Sequence, residues 1–346
     1  MRATDDEART DGGAADENVF TRTADVPTLT AREKARRTFD RRIYAPLAVL
    51  ANDWRAVLGG GILTLFVLTG VVAWISSSNW WFLSGVVLVE SPTVMEGPIF
   101  VSPLQNWAYP LGTGVMGKSI LKQLVHATPA MIQMIAAGAL LSVTVGTLIG
   151  TVAGYRGGTV DKTLMSVTDV VLTIPGIALV IVLAAIYEPR HPVTVGIILG
   201  IDNWPRLART IRSEVLSIRE EAFTEASRIM GLSQSTILRR DVISNLMPYI
   251  SINFANGARN IIFESVALYF LGILPFTTLN WGVMMNEAYN GADLTNLSQL
   301  HWLFAPMLTI TVVSLGFILF AQALDRIFNV RLRARHENTT ADVESQ

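Results

Sequence analysis

The sequence predicts an all-α membrane protein with six transmembrane helices and with both termini in the cytoplasm. Hydrophobic residues make up 51% of the 346 residues and charged residues only 16%, whereas roughly a quarter of the residues in an average soluble domain are charged. The apolar residues are gathered into segments of about twenty, the length that a helix needs to cross the hydrocarbon core of a bilayer. Lysine and arginine are concentrated in the connections on one side, which marks that side as cytoplasmic.

The N-terminal region divides into an acidic part and a basic part. Residues 1–29 are rich in aspartate and glutamate and poor in large apolar side chains, which predicts a disordered tail. Thr30 and Glu33 form a capping-box pattern that opens a basic juxtamembrane helix over residues 30–56. That helix is either solvated or lies at the membrane surface, and the apolar span after it favours the membrane surface.

Six apolar segments are the predicted spans. Pro175 predicts a kink in the third span, and Asp202, Arg206 and Arg209 interrupt the fourth. The spans are assigned to residues 57–75, 131–155, 163–187, 193–212, 248–274 and 303–324. Between and after them the sequence predicts an extracytoplasmic loop at 76–130, a cytoplasmic connection at 213–247 and a cytoplasmic tail at 327–346.

Residues 112–119 read GTGVMGKS and match the phosphate-binding P-loop pattern. A P-loop needs a strand before it and a helix after it, but Pro103 and Pro110 precede this segment, and proline is unsuited to a buried strand. The loop is also too short for the alternating strands and helices of a nucleotide-binding domain. We therefore expect a tight turn and then a short helix, 118–127, against the outer surface, and we reject a membrane-tethered nucleotide enzyme.

The segment most informative about function is REEAFTEASRIMGLSQSTILRRDVISNLMP, between the fourth and fifth predicted spans. Ala222, Ala226 and Ile229 recur at helical spacing and form a face of small side chains. Gly231 is placed to end that helix in a left-handed conformation, and a serine after it would cap a second helix, 236–246. Such an element suits docking by another protein, although an amphipathic helix that packs on its own bundle explains the pattern equally well.

Several segments resemble one protein family. Glu225-Ala226-Ser227 followed by Gly231 resembles the EAA loop of the membrane-spanning subunits of ABC importers. From about residue 49 to 331, further segments resemble, in the expected order, the C-type subunits of the dipeptide/oligopeptide permease family: YPLGTGVMGKSILKQLVHA, VGTLIGTVAGYRGGTVDKTLMSVTDVVLTIPGIAL, ESVALYFLG, LNWGVMMNEA and HWLFAPMLTITVVSLGFILFAQALDRIFNVR.

The chain departs from the family pattern at a few positions. The family motif has aspartates where this chain has Gly114 and Ser119, and it has an arginine where this chain has Lys118, so the P-loop match is a by-product of replacements in a different motif. In the EAA loop the third position is Ser227, and Ser244 stands where the family has a proline. Serine is small, so close docking is expected to survive.

The resemblance implies a type I ABC importer (MetI-like) permease core over residues 131–326, in a multi-pass protein of the cell membrane. The chain would form half of a translocation pathway, paired with a homologous permease subunit as a heterodimer within membrane lipid. Two ABC ATPase subunits would supply the energy and an extracellular solute-binding protein would deliver the substrate. The chain itself would be no enzyme and would bind no cofactor, metal or nucleic acid.

The resemblance also assigns candidate residues and substrates. Peptides are the expected substrate, and nickel or a sugar or glycoside is the alternative substrate. A secondary transporter, which would need its own coupling-ion site, is a remote alternative to the importer itself. The ATPase-coupling residues that it implies are Ala222, Glu225, Ala226, Ser227, Arg228 and Gly231.

Polar groups at membrane depth are the remaining candidates, because burying them in hydrocarbon is costly. Each of them faces a wet pathway or bonds to a neighbouring helix. The candidates for the translocation pathway are Asp169, Asp202, Asn253, Asn256, Arg259 and Glu264.

Overall fold

The computed structural model of the chain describes residues 51–77, 88–221, 225, 229–231, 233, 236 and 242–328. The helices that carry the fold are α1 (Trp54–Ser77), α2 (Ile120–Arg156), α3 (Gly158–Thr173), α4 (Gly176–Tyr187), α5 (Pro192–Gly200), α6 (Trp204–Arg219), α7 (Ile243–Phe270), α8 (Trp281–Gly291) and α9 (His301–Phe328). Among these described residues there is no β-strand, and one isolated bridge joins Thr113 to Ser119. The predicted acidic tail, most of the basic helix and nearly all of the C-terminal tail lie outside the described residues.

Three of the helices, α1, α2 and α9, are long and apolar enough to cross a bilayer. Helices α3 and α4 meet at a bend of 84°. They make a fourth crossing if the pair is one broken span. Pro175 causes the break, because it lacks an N–H and forces the preceding Ile174 into extended backbone, with φ −78° and ψ 126°. The kink predicted at Pro175 is confirmed as this sharp bend.

Helix α2 is continuous, and the prediction of a separate surface helix at 118–127 is wrong. The helix runs from Ile120 to Arg156 through Pro129. Ile120, Leu124 and Ala127, before the proline, are buried in the same core cluster as Met131 after it. Because one apolar face extends across the proline, packing against the bundle holds both halves in line.

The fourth predicted span consists of two helices, and the break between them includes Asp202, one of the residues that interrupt the span in the sequence. Helix α5 ends at Gly200, a turn occupies residues 201–203, and α6 begins at Trp204. Pro205 lies in the first turn of α6, where its missing N–H leaves no hydrogen bond unmade. The turn places Asp202 at a helix break rather than on a helical face.

Small residues on α2 bring α5 and α6 close to it. Gly138, Ser142, Gly146, Gly150 and Gly154 recur every four residues and therefore lie on one face of α2. A Cβ atom at residue 146 would stand 2.9 Å from the carbonyl oxygen of Trp204, and one at 154 would stand 2.9 Å from that of Arg212. Small residues at such spacing let membrane helices pack at short distance.

The core has two parts. The larger cluster surrounds the fully buried Trp281 of α8, whose ring lies 5.6 Å from that of Phe66 in α1. The smaller cluster joins α6 to the start of α7 and consists of Leu207, Ile211, Val215, Val242 and Leu246. The smaller cluster ties together the two helices that lead into and out of the long connection at 220–242.

Candidate functional site

The coupling segment (residues 213–247) consists of the end of α6, the connection at 220–242 and the start of α7. It is anchored at both ends. On α6 the Arg219 guanidinium donates a hydrogen bond of 3.5 Å to the backbone carbonyl of Tyr155 in α2. Val215 of α6 and Leu246 of α7 are fully buried in the same cluster. A displacement of the coupling segment would therefore act on α6 and α7 together.

Between residues 220 and 236 the described residues of the coupling segment are exposed, and they contain a glycine elbow. Ile229 and Met230 are 80% and 70% exposed, and Glu225, also exposed, donates its backbone N–H to the Glu221 carbonyl as in a helical turn. Gly231 has a φ of +74°, and no atom lies within 4 Å of a Cβ built on it. The left-handed glycine predicted at residue 231 is confirmed, and backbone conformation rather than crowding favours glycine there.

A serine cap follows the elbow. The backbone N–H of Thr236 donates to the Ser233 hydroxyl oxygen at 3.3 Å, as a helix N-cap does. Of the six proposed coupling residues, Glu225 and Gly231 are described. Ala222, Ala226, Ser227 and Arg228 lie outside the described residues.

Two ion pairs fasten α3 to α6. Arg212 donates to both carboxylate oxygens of Asp161, at 2.5 and 2.6 Å. Arg209 donates through Nε to Asp169 at 3.0 Å, and both of those side chains are 53% exposed. Asp169, a pathway candidate from the sequence, thus has a helix-to-helix partner, and the Asp161–Arg212 pair escaped sequence reasoning.

Asp202 and Glu264 line one cavity of about 320 Å³ between α4, α5 and α7. The rest of its lining is apolar, and Asp202 lies so close to Gly176 that a Cβ atom there would overlap its carboxylate. Glu264 Oε2 is buried and has no hydrogen-bond partner among the described residues. The cavity therefore brings two predicted site residues together beside both helix breaks, at 174–175 and at 201–203.

The other candidates lie on α7. Asn253 donates to the backbone carbonyl of Tyr249 at 2.8 Å, and Arg259 Nη2 donates to Asn260 at 3.1 Å. Residues 253, 256, 260 and 264 are spaced by three or four, so they share one side of the helix. The structure thus groups Asn253, Asn256 and Glu264 on a polar face of α7, while Asp169 stands apart on α3.

The segment matching the P-loop pattern has four of its eight backbone amides already engaged. Gly112 donates to Tyr109, Thr113 to Val101, Gly114 to Lys118 and Gly117 to Gly114. A phosphate cradle needs such N–H groups free to face the ligand. The stretch from residue 88 to this turn contains no strand, which agrees with the rejection of a nucleotide site.

Comparison with known proteins gives a family match and several relatives. Residues 146–334 match the family model described as "Binding-protein-dependent transport system inner membrane component". The chain is 25% identical over 280 residues to the oligopeptide transport system permease protein of Bacillus subtilis (strain 168), covering 80% of this chain and 86% of the relative.

Two further relatives extend over similar lengths. The chain is 27% identical over 288 residues to the nickel transport system permease protein of Escherichia coli (strain K12), covering 83% of this chain and 98% of that protein. It is 26% identical over 289 residues to the dipeptide transport system permease protein of Alkalihalophilus pseudofirmus, covering 82% and 88%. The similarity therefore extends well beyond the matched domain.

Proposed function

Because this chain belongs to the family of inner membrane components of binding-protein-dependent transport systems, and is a permease of ABC importers in the multi-pass membrane class, we propose that it forms half of the translocation pathway of a peptide importer. A homologous permease subunit forms the other half as a heterodimer in the lipid bilayer. Two cytoplasmic ATPase subunits hydrolyse ATP, and an extracellular solute-binding protein delivers the substrate. The chain itself carries out no covalent chemistry.

We propose six crossings with both termini in the cytoplasm. The crossings are α1, α2, the pair α3 and α4, the pair α5 and α6, α7, and α9. Helix α7 has 28 residues, and at 1.5 Å per residue its length of about 42 Å is enough to span a bilayer. The concentration of arginine in the coupling segment supports a cytoplasmic position for it.

The observation that carries the proposal is the exposed glycine elbow of the coupling segment, held between two anchored helices. An apolar pair, Ile229 and Met230, stands exposed beside Gly231, and exposed apolar side chains in a group mark a surface that another protein covers. The other coupling residues proposed above precede Gly231 by no more than nine positions in the sequence. An ATPase that holds the elbow would push on α6 and α7 through their shared cluster.

The ion pairs extend that action to a third helix. Because Arg212 holds Asp161 in two hydrogen bonds, a movement of α6 would carry α3 with it. ATP binding then favours either the inward-open or the outward-open state of the pathway. It shifts the population of the two states only as far as its affinities for them differ. We propose that the polar face of α7 with Asn253, Asn256 and Glu264, together with Arg259 and Asp202, lines the pathway that opens. Asp169 instead serves to hold α3 on α6.

The substrate class rests on relatives and on resemblance. Relatives named as oligopeptide and dipeptide permeases support peptides. A relative named as a nickel permease is as similar over as much of the chain, so nickel is the second candidate and a sugar or glycoside the third. Uptake of labelled dipeptide and of radioactive nickel, measured in cells with and without the gene, separates the first two candidates, and absence of both leaves the third.

Thiol labelling tests the proposed orientation and docking directly. The chain contains no cysteine, so a single introduced thiol is the only one present. We expect Val115→Cys to react with a membrane-impermeant maleimide in intact cells, and Met230→Cys to react only after permeabilisation. In the assembled complex, Met230→Cys is expected to cross-link to an ATPase subunit, whereas Val115→Cys is not. Labelling of Met230→Cys from outside would refute the proposal.

A further inference from the structure

A second cavity, of about 230 Å³, lies at the end of the bundle away from the coupling segment. Its lining includes Lys118 just before α2, Gln123 in the first turn of α2, Glu287 of α8 and Trp302 of α9. Helix α2 runs for 37 residues from this cavity to the neighbourhood of Arg219, a distance of about 55 Å at 1.5 Å per residue. The residues that line the cavity include none from the coupling segment and none from α7, so the cavity is separate from both candidate sites.

Two buried polar atoms at this cavity lack partners. Gln123 is 2% exposed and Trp302 is 4% exposed. In the described part of the chain, neither Gln123 Oε1 nor Trp302 Nε1 has a hydrogen-bond partner. A buried polar group without a partner is unfavourable, and the Gln123 oxygen and the Trp302 N–H beside this cavity are one such acceptor and one such donor.

Two opposite charges line the same cavity without pairing. Lys118 and Glu287 both contribute to its lining, and neither takes part in any of the ion pairs between described residues. Lys122, four residues from Lys118, is by contrast fully engaged with Glu90 and Glu96. The residues around the cavity thus include one cation and one neutral donor, Lys118 and the Trp302 N–H. They also include one anion and one neutral acceptor, Glu287 and the Gln123 oxygen.

Two glycines shape the walls around the indole. A Cβ atom at residue 114 would stand 2.8 Å from Cε2 of Trp302, and one at residue 291 would stand 2.9 Å from its Cζ3. Larger residues at either position would displace the ring and close the space. Gly114 is one of the positions where the related motif has an aspartate, so this cavity depends on a replacement in that motif.

We propose that this cavity binds a small zwitterion with the chemistry of a free α-amino acid. The ligand carboxylate would accept from Lys118 and from Trp302 Nε1–H, and its ammonium group would donate to Glu287 and to Gln123 Oε1. These four groups match the two ends of such a molecule, and charge-assisted hydrogen bonds are the stronger kind. At about 230 Å³ the space is smaller than the roughly 300–1,000 Å³ pockets that hold drug-sized ligands, which suits a single amino acid.

Binding to the full-length chain in lipid nanodiscs, measured by calorimetry without ATP or partner subunits, tests this site independently of transport. The probes are L-alanine as the zwitterion, acetate as the anion alone and methylammonium as the cation alone. We expect L-alanine to bind saturably and each single-charge probe to bind at least about tenfold more weakly, because each loses the charged partners of the other end.

Variants of the lining and matched controls locate the binding. Lys118→Met and Glu287→Gln are expected to weaken L-alanine binding about tenfold or more, as loss of a hydrogen bond to a charged group does. Gln123→Leu is expected to weaken binding while leaving thermal stability unchanged or higher, since it removes an unsatisfied buried acceptor. Gln133→Leu, which makes the same change elsewhere on α2, and Lys162→Met, far along the chain, are the controls and are expected to bind as the wild type does.

Each alternative result decides against the site. Absence of saturable L-alanine binding by the wild-type chain overturns it. An affinity for acetate equal to that for L-alanine overturns the zwitterion proposal, because it indicates a site that binds anions only. L-Alanine binding that the lining variants leave unchanged places the ligand elsewhere, and the stability of Gln123→Leu shows whether a loss of binding reflects misfolding.

Discussion

Gly150 of α2 lies directly against Ile211 of α6, so that a Cβ atom at residue 150 would stand 2.9 Å from the Cβ atom of Ile211. The same Cβ atom would also overlap the carbonyl oxygen of Ala208. Backbone cannot move aside as a flexible side chain can. The α2–α6 contact, which links the bundle to the coupling segment, therefore depends on the absence of a side chain at this position.

Gly150→Ala is expected to destabilise the chain by about 1–3 kcal/mol, the usual cost of overpacking a tight contact. Thermal unfolding of the purified chain in detergent measures the effect. Gly60→Ala on α1 is the matched control, because no atom lies within 4 Å of a Cβ built there. It is expected to be neutral or stabilising. Equal effects of the two substitutions would show that the α2–α6 contact is looser than described.

The loss of ATPase activity caused by substitutions at Gly231 is expected to follow the backbone preference of the new residue rather than its side-chain size alone. Its φ of +74° is accessible to glycine, less so to asparagine, and costs other residues about 1–2 kcal/mol. We expect substrate-stimulated ATP hydrolysis by the reconstituted complex to decrease in the order glycine, asparagine, alanine, valine. Gly231→Asp is expected to uncouple transport or to prevent ATPase docking.

Gly272 provides the control for that series. It too has a positive φ, +71°, with open space around its Cβ position, but it follows α7 at the end remote from the coupling segment. The alanine and valine variants of Gly272 are expected to strain the backbone equally while leaving coupling intact. Coupling that falls equally in both series would mean that backbone strain, and not the elbow itself, lowers activity.

Hydropathy and proline position predicted much of the bundle, because a long apolar segment in a bilayer must satisfy its own backbone hydrogen bonds and therefore forms a helix. The elements beginning at Trp54, Ile243 and His301 lie within a few residues of their predicted starts. The continuity of α2 through Pro129 was missed, because it depends on packing against other helices. The small residues at four-residue spacing on α2 were a visible signal, and counting that spacing would have predicted its close contact with α5 and α6.

The proposed sites were predictable to different degrees. Gly231 stands in a local pattern, so its left-handed backbone followed from neighbouring residues. The pairing of Asp161 with Arg212 joins positions 51 residues apart, and nothing in the local sequence selects that partner. The cavity at Gln123, Glu287 and Trp302 is assembled from three helices, so its composition becomes visible only when the chain is folded.

The Asp161–Arg212 pair is expected to contribute more to stability than the Asp169–Arg209 pair. The Asp161 and Arg212 side chains are 15% and 34% exposed, whereas both partners of the second pair are 53% exposed. Exposed ion pairs contribute about 0.2–1 kcal/mol in double-mutant cycles, and a less exposed bidentate pair is screened less. Cycles built from Asp161→Asn with Arg212→Gln, and from Asp169→Asn with Arg209→Gln, measure the two coupling energies. A larger coupling energy in the exposed pair would contradict this ranking.

Lys118→Ala is expected to leave ATP binding by the assembled complex unchanged, despite the P-loop pattern around it. Four of the eight backbone amides at residues 112–119 already donate to carbonyl oxygens, and no strand leads into the turn from residue 88 onward, so the segment lacks the context that a phosphate cradle needs. Binding of a fluorescent ATP analogue to the complex, and separately to the purified chain, measures this. The same Lys118→Ala variant is expected to lose zwitterion binding, because it removes the cation of the cavity. ATP binding by the purified chain that disappears in Lys118→Ala would restore the nucleotide interpretation and contradict the assignment of ATP hydrolysis to partner subunits.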